Sequence, residues 1–197
     1  FFHLFSLPDV FYLVGCLMML PIFLYPMSGL ETEEPLLQPG RIDVLLGQGQ
    51  TAQVLRNLCL IVNRTSTNDW QRVTQLMRRL FHIELLEPRE TSRGSIELQY
   101  RQSGVREVLD VSSAGRGFQQ MLLIFSYLYS HKGSVLLVDE PDAHLEILRQ
   151  KQVYVLLRDI ASENSSQVVM VTHSEVILDE AIDNNLTLLL DGKADDL

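Results

Sequence analysis

The chain has 197 residues, 46% hydrophobic and 21% charged, with a net charge of −9 and a pI near 5.0. That length supports one domain with a substantial core, and the composition is that of an ordinary globular protein. The acidic balance argues against a standing basic face for nucleic acid within this chain. Two cysteines, Cys16 and Cys59, have neither metal-ligand spacing nor a disulfide framework, which fits a reducing, cytoplasmic compartment.

The chain opens at Phe1 rather than Met and ends in a polar tail, Asp191 to Leu197, so it is expected to be part of a longer protein. Residues 1–21 form a segment of their own. Val10 to Tyr25 is almost wholly apolar, yet shorter than the about 20 residues a membrane helix needs, and Pro21 interrupts it. No Lys or Arg precedes Arg41, so there is no basic flank to set an orientation or mark a signal peptide. A buried strand-rich piece, a membrane or signal segment, and a stretch foreign to the native protein all remain open; a membrane is the less favoured. Ile22 to Tyr25 reads as a strand entering the turn Pro26 to Gly29.

Glu31 to Gly40, acidic and carrying Pro35 and Pro39, is expected to be an exposed loop. Gly47 to Thr51 is Gly-rich but has no lysine, and reads as a turn and helix start. Val54, Leu55, Leu58 and Ile61 give Thr51 to Val62 helical spacing. A second helix is predicted over about 68–81, with Ser66 or Thr67 as its N-cap and Trp70, Val73, Leu76, Met77 and Leu80 as its core stripe. Ile96, Leu98 and Tyr100 alternate with polar residues, Gln102-Ser103-Gly104 turns the chain, and Val105 to Val111 completes a hairpin.

Strands then alternate with helices: a helix from about Gly117 to Ser130, the strand Ser134 to Val138, a helix from about Glu146 to Ser162, the strand Gln167 to Val171, a helix starting near Ser174, and a last strand from Leu186 to Leu190. That alternation predicts an α/β fold, a parallel sheet with helices packed against it. The apolar runs VLLV and VVMV suit strands buried on both faces. The hairpin region forms a small α+β insertion.

Three segments carry chemistry. Ser134 to Pro141 is a buried strand ending in Asp139 and Glu140, at the strand end where open α/β sheets bind ligands. Asp139 there can hold Mg²⁺, and Glu140 can orient a water for attack on a γ-phosphate; the plain alternative is a strand that ends in solvated acids. Val168 to Ser174 ends in Thr172-His173-Ser174, and a histidine there can donate to a phosphate oxygen, although isolated histidines are more often structural. Val111 to Gln120 is a Ser- and Gly-rich turn feeding a helix, either an anion site or an ordinary N-cap.

Taken in order, these segments resemble the head of ABC-type ATPases, a P-loop NTPase-type fold. Ser113 to Gln120 is similar to the signature motif, Ser134 to Glu140 to Walker B, Pro141 to Leu145 to the D-loop, and His173 to the switch histidine. The wording Asp139-Glu-Pro-Asp-Ala-His-Leu-Glu146 resembles the RecF-like and overcoming-lysogenisation-defect ATPases of DNA repair and anti-phage defence. The resemblance runs from about Pro26 to Leu190. It implies a C-terminal lobe over 22–197, with an arm or insertion at 22–110 and a signature-to-histidine subdomain at 111–197.

The resemblance further implies ATP and Mg²⁺ as cofactors and a homodimer closed around ATP. In that scheme Asp139 holds the metal, Glu140 and His173 are catalytic, and Ser113, Gly115 and Gly117 belong to the motif that caps the γ-phosphate of the opposite subunit. Asp142 and His144 lie on the loop that communicates across the dimer; His144 serves equally well as a solvent-facing helix-start residue. A nuclease or other effector is a candidate partner, and DNA a candidate ligand. Two departures stand out. Ala114 and Arg116 alter the signature, and nothing in the sequence matches G-x-x-x-x-G-K-[ST], so the N-terminal Walker A lobe is expected to lie elsewhere and this segment alone to be inactive. A transporter's ATP-binding subunit and a nucleotide-dependent scaffold are the competing readings; intact Asp139, Glu140 and His173 argue against the second.

Overall fold

A computed structural model describes residues 2–4, 21–27, 29–183 and 187–188. The part of the apolar run before residue 21, Cys16 included, and the outer residues of the last expected strand lie outside these. In chain order the strands and helices begin with β1 (Phe2–Leu4), β2 (Ile22–Leu24), α1 (Pro39–Gly47), α2 (Leu55–Thr65) and α3 (Thr67–Phe81). Short strands follow: β3 (Ile83–Leu85), β4 (Arg89–Glu90), β5 (Ile96–Glu97), β6 (Gln99–Gln102) and β7 (Val108–Asp110). The rest alternates: α4 (Arg116–Ser130), β8 (Val135–Asp139), α5 (Ile147–Glu163), β9 (Gln167–Val171), α6 (Glu175–Asp183) and β10 (Thr187–Leu188). Among the described residues, no helix is long and apolar enough to cross a membrane.

The chain forms two compact units, one of residues 1–23 with 132–197, the other of residues 24–131. The first holds a five-stranded sheet in the order β10-β1-β9-β8-β2, with β8–β9, β9–β1 and β1–β10 parallel. The expected α/β class is what the chain adopts. In β8, Val135, Leu136 and Val138 are buried, as are Val168 and Met170 in β9, because the continuous apolar runs leave no polar side to face water. Tyr154, Leu157 and Ile160 of α5 and Ile177 and Ala181 of α6 complete this core. In register, Asp139 lies opposite Val171, and the Glu140 N–H donates to the Val171 carbonyl at 2.8 Å.

The second unit packs α2, α3 and α4 together with small antiparallel sheets, β3-β6-β7 and β4-β5. The Ser66 hydroxyl caps α3 by accepting from the Asp69 N–H at 3.2 Å, and Trp70, Val73, Met77 and Leu80 form the buried stripe, whereas Leu76, also expected in it, is only half-buried. The hairpin is present as β6–β7, with β3 as a third strand, but the expected run from Ile96 to Tyr100 is split, Ile96–Glu97 pairing instead with Arg89–Glu90. Gly49 sits at φ +73°, where a Cβ would come within 2.7 Å of the Tyr25 ring, so this turn requires glycine.

Glu31 to Gln38 is the expected loop and mostly exposed, with two departures from that expectation. Pro39 starts a helix instead, at the first helical position, where a missing N–H costs nothing. Glu34 is 2% exposed. Its carboxylate accepts from the backbone N–H groups of Arg56 and Asn57 at 2.9 and 2.7 Å, and from the Asn57 amide at 2.7 Å. It therefore caps α2 from about twenty residues upstream, satisfying N–H groups that have no partner inside the helix. Burial pushes the Glu34 carboxyl above its ordinary value, and the N–H donors and the Arg56 charge pull it back.

Candidate functional site

In the sheet unit, the expected residues gather where β8 and β9 end. Asp139 is the last residue of β8 and is half-buried. Glu140 follows at φ +42°, a left-handed backbone that non-glycine residues seldom adopt and that costs on the order of 1–2 kcal/mol. The strain is held by the 2.8 Å bond from its N–H to Val171 and by its carbonyl, which accepts from the Ala143 N–H at 3.1 Å. His173 Nε2 lies 3.4 Å from Glu140 Oε1, and the His173 side chain is 87% exposed. The geometry thus brings the expected carboxylate and imidazole together on an open strand edge.

The loops that carry them are tied to each other from below. Asp142 is 5% exposed, and its Oδ1 accepts from the Thr172 hydroxyl at 2.8 Å. The same hydroxyl oxygen accepts from the Ser174 N–H at 3.0 Å. The Ser174 hydroxyl donates to Gln150 Oε1 at 2.7 Å, and Gln150 Nε2 donates to the Leu145 carbonyl at 3.1 Å. Asp142 thus joins the loop after β8 to the loop after β9, with its carboxylate directed inward. His144 is exposed. Thr172 and Gln150 carried no expected role; a Thr immediately before the histidine was the only hint in the sequence.

The chemistry of these groups fits a metal held on a bound phosphate better than a protein cage. Among the described residues, no group of three or more His, Cys, Asp or Glu side chains could hold an ion by itself. Mg²⁺ on phosphates usually takes one or two carboxylates and keeps several waters. Asp139, half-buried at a sheet edge beside a second carboxylate, suits that mode.

Ser113, Gly115 and Gly117 lie in the other unit. Val111 to Ser113 form one 3₁₀ turn, Gly115 is the N-cap of α4, and Gly117 is buried inside the helix rather than in the loop. The Asp110 carboxylate caps the turn by accepting from the Ser112 N–H at 2.8 Å, and the exposed Ser113 hydroxyl donates to the Asp110 carbonyl at 2.7 Å. A hydroxyl has one proton to donate, so Ser113 can serve that carbonyl or a phosphate oxygen, not both. The Gln119 amide donates to the carbonyls of Val111, Ser112 and Ala114 at 3.0, 3.3 and 3.1 Å, which fixes the loop from inside.

Residues 61–179 match the family described as "AAA domain, putative AbiEii toxin, Type IV TA system". No curated protein sequence matches the chain. Among solved structures it is similar to an Smc head domain from Pyrococcus furiosus with an extended coiled coil, bound to the C-terminal domain of ScpA (16% identity, TM-score 0.45, covering 71% of this chain and 34% of that one). It is also similar to an Smc head domain with a coiled coil and joint from Pyrococcus yayanosii (18%, 0.45, 72% and 27%). A third is the SMC head domain from Thermotoga maritima (18%, 0.46, 74% and 49%). The chain therefore spans from about a quarter to about half of the length of these solved proteins. The family match covers more than half of the chain, and the chain belongs to this AAA-domain family.

Proposed function

We propose, from that membership, that the chain is the C-terminal lobe of an ABC-type ATPase head of the RecF-like and overcoming-lysogenisation-defect branch. One observation carries the reading: a strained Glu140 on the end of a buried strand, 3.4 Å from His173 and next to Asp139. Backbone strain held at a polar strand edge is characteristic of sites where a side chain must be aimed. Glu140 orients and polarises the water that attacks the γ-phosphate, and His173 donates to that phosphate. Asp139 holds Mg²⁺, which when bound neutralises charge on the phosphate oxygens. Asp142 keeps the two loops in register through Thr172. Ser113 and the N–H groups at the start of α4 receive the γ-phosphate of a second copy, with Gly115 leaving the approach open.

The 197-residue chain carries no G-x-x-x-x-G-K-[ST] segment, and by itself it is expected not to turn over ATP. The D-loop wording supports a role in phage defence or DNA repair, coupled to a nuclease or effector; the family's own description names a putative AbiEii toxin and a Type IV TA system.

The dimer is the part most open to test. The longest natural chain containing this segment, carrying Glu140→Gln, should run as a dimer by light scattering when ATP and Mg²⁺ are present. Adding Ser113→Arg should return it to a monomer with ATP still bound. A monomer in both cases at saturating ATP would remove the ATP-sandwich reading.

A further inference from the structure

Arg56 is the bulkiest fully buried side chain among the described residues. It sits in the first turn of α2, where a guanidinium cannot shed its charge. Its Nη2 donates to Asp110 Oδ1 at 2.7 Å, and its Nη1 lies 3.8 Å from Glu34 Oε2. Nε and Nη1 find no hydrogen-bond partner among the described residues. As a stabilising device this is poor. Buried ion groups lose their hydration, unsatisfied donors add to the cost, and apolar replacements of similar volume are often as stable. What the arrangement does provide is geometry at Asp110.

Asp110 is the anchor of the serine turn. Its Oδ1 receives both Arg56 Nη2 and the Ser112 N–H, and its carbonyl receives the Ser113 hydroxyl. We infer that Arg56, clamped between Glu34 and Asp110, is a positioning residue for Ser113: it fixes the Asp110 carboxylate, which fixes the turn that presents the serine. This rests on the proposed role of Ser113. The chain of contacts runs from the cap of α2 to the hydroxyl, all within one unit: a 3.8 Å ion pair from Glu34 to Arg56, charge-assisted hydrogen bonds from Arg56 and from the Ser112 N–H to Asp110, and a neutral one at the end. The last link, Ser113 to the Asp110 carbonyl, is the one that must open when the hydroxyl turns to a phosphate. A planar, rigid fork suits such an anchor, whereas a lysine would offer a point charge on a flexible stem.

The test is a double-mutant cycle in the longest natural chain, with kcat and KM for ATP as readouts and thermal unfolding alongside. Ser113→Ala should lower kcat. Asp110→Ala should lower kcat by between about tenfold and 100-fold, the scale of a small misplacement, with little change in KM. Asp110→Asn keeps an acceptor at Oδ1 and should recover most of that loss. The double variant Asp110→Ala/Ser113→Ala should be no slower than Ser113→Ala alone, because one residue acts through the other. Arg56→Lys should lower kcat in a folded protein.

Wild-type kcat in Asp110→Ala, or losses that multiply in the double variant, would overturn the inference while leaving the role of Ser113 intact. Full activity in Ser113→Ala would instead overturn the role of Ser113, and the positioning inference with it.

Discussion

In the sheet unit, Glu140 and His173 hang from the ends of the adjacent strands β8 and β9; a positive φ and a ladder bond to Val171 aim Glu140, and the Asp142–Thr172–Ser174 hydrogen bonds hold the loop of His173. In the helical unit, Ser113 rides on a single 3₁₀ turn, and side chains aim it: Asp110 from below, Gln119 from within, and the buried Glu34–Arg56 pair behind Asp110. A strand end is positioned by a ladder that many residues share, so one side-chain change moves it little. A turn held by buried charges depends on each of them. The helical unit should therefore be the more sensitive to single substitutions that leave its apolar core untouched.

The largest effect should come from Glu34→Ala. It leaves two backbone N–H groups of α2 and the Asn57 amide buried without their acceptor, while Arg56 keeps Asp110 at 2.7 Å, and the unsatisfied donors together should cost about 3–5 kcal/mol by urea unfolding. Glu34→Gln, which keeps one acceptor, should cost less. Equal, small losses for both would mean that the buried charges do not hold this unit.

Next, Thr172→Val tests the tie between the two loops of the sheet unit. It strips the buried Asp142 of its donor and the Ser174 N–H of its acceptor, and should lower stability by about 1–3 kcal/mol, with Thr172→Ser close to wild type. A loss as large as that of Glu34→Ala would erase the contrast between the units.

Cys59 offers a pH readout confined to the helical unit. Burial pushes its thiol from 9.0 up to about 12. Below pH 9 the thiol is neutral in both states. Above it only the unfolded chain loses the proton, so stability should fall as pH rises from 9 towards 12, by about 1.4 kcal/mol per unit. The difference in stability between wild type and Cys59→Ala should carry that slope; a flat difference would mean that the core around α2 admits water. The smallest effect belongs to Ser66→Ala, which removes the cap of α3 and should cost about 1 kcal/mol by thermal unfolding.

Which parts of this were legible in the sequence follows from the range of the interactions. The strands β8 and β9 announce themselves as unbroken apolar runs, and the acids and histidine follow directly in the chain, so their meeting at one edge could be read in advance. The cap of α3 was equally local. Glu34 was not legible, because its partners lie in a helix about twenty residues further on, and a lone acid between prolines looks like any loop residue. Arg56 falls between Leu55 and Leu58 on a helix whose spacing assigns it no buried place, so only the fold reveals the Glu34–Arg56–Asp110 chain. α1 is hard to read in advance because a proline after an acidic, proline-containing stretch looks like part of a turn, although the first helical position favours it. β3 leaves no signal because three residues, Ile83 to Leu85, give too little alternation to register.

Everything proposed for the sheet unit turns on Glu140 as the residue that activates water. The direct measurement is phosphate release from ATP by the longest natural chain containing this segment, wild type against Glu140→Gln, with ATP binding measured in parallel. A loss of about 10²–10³ in turnover with ATP still bound is the result expected when one preorganised catalytic group is removed. Equal turnover by the two proteins would contradict the account, because the strained acid at the end of β8 would then have no part in the chemistry.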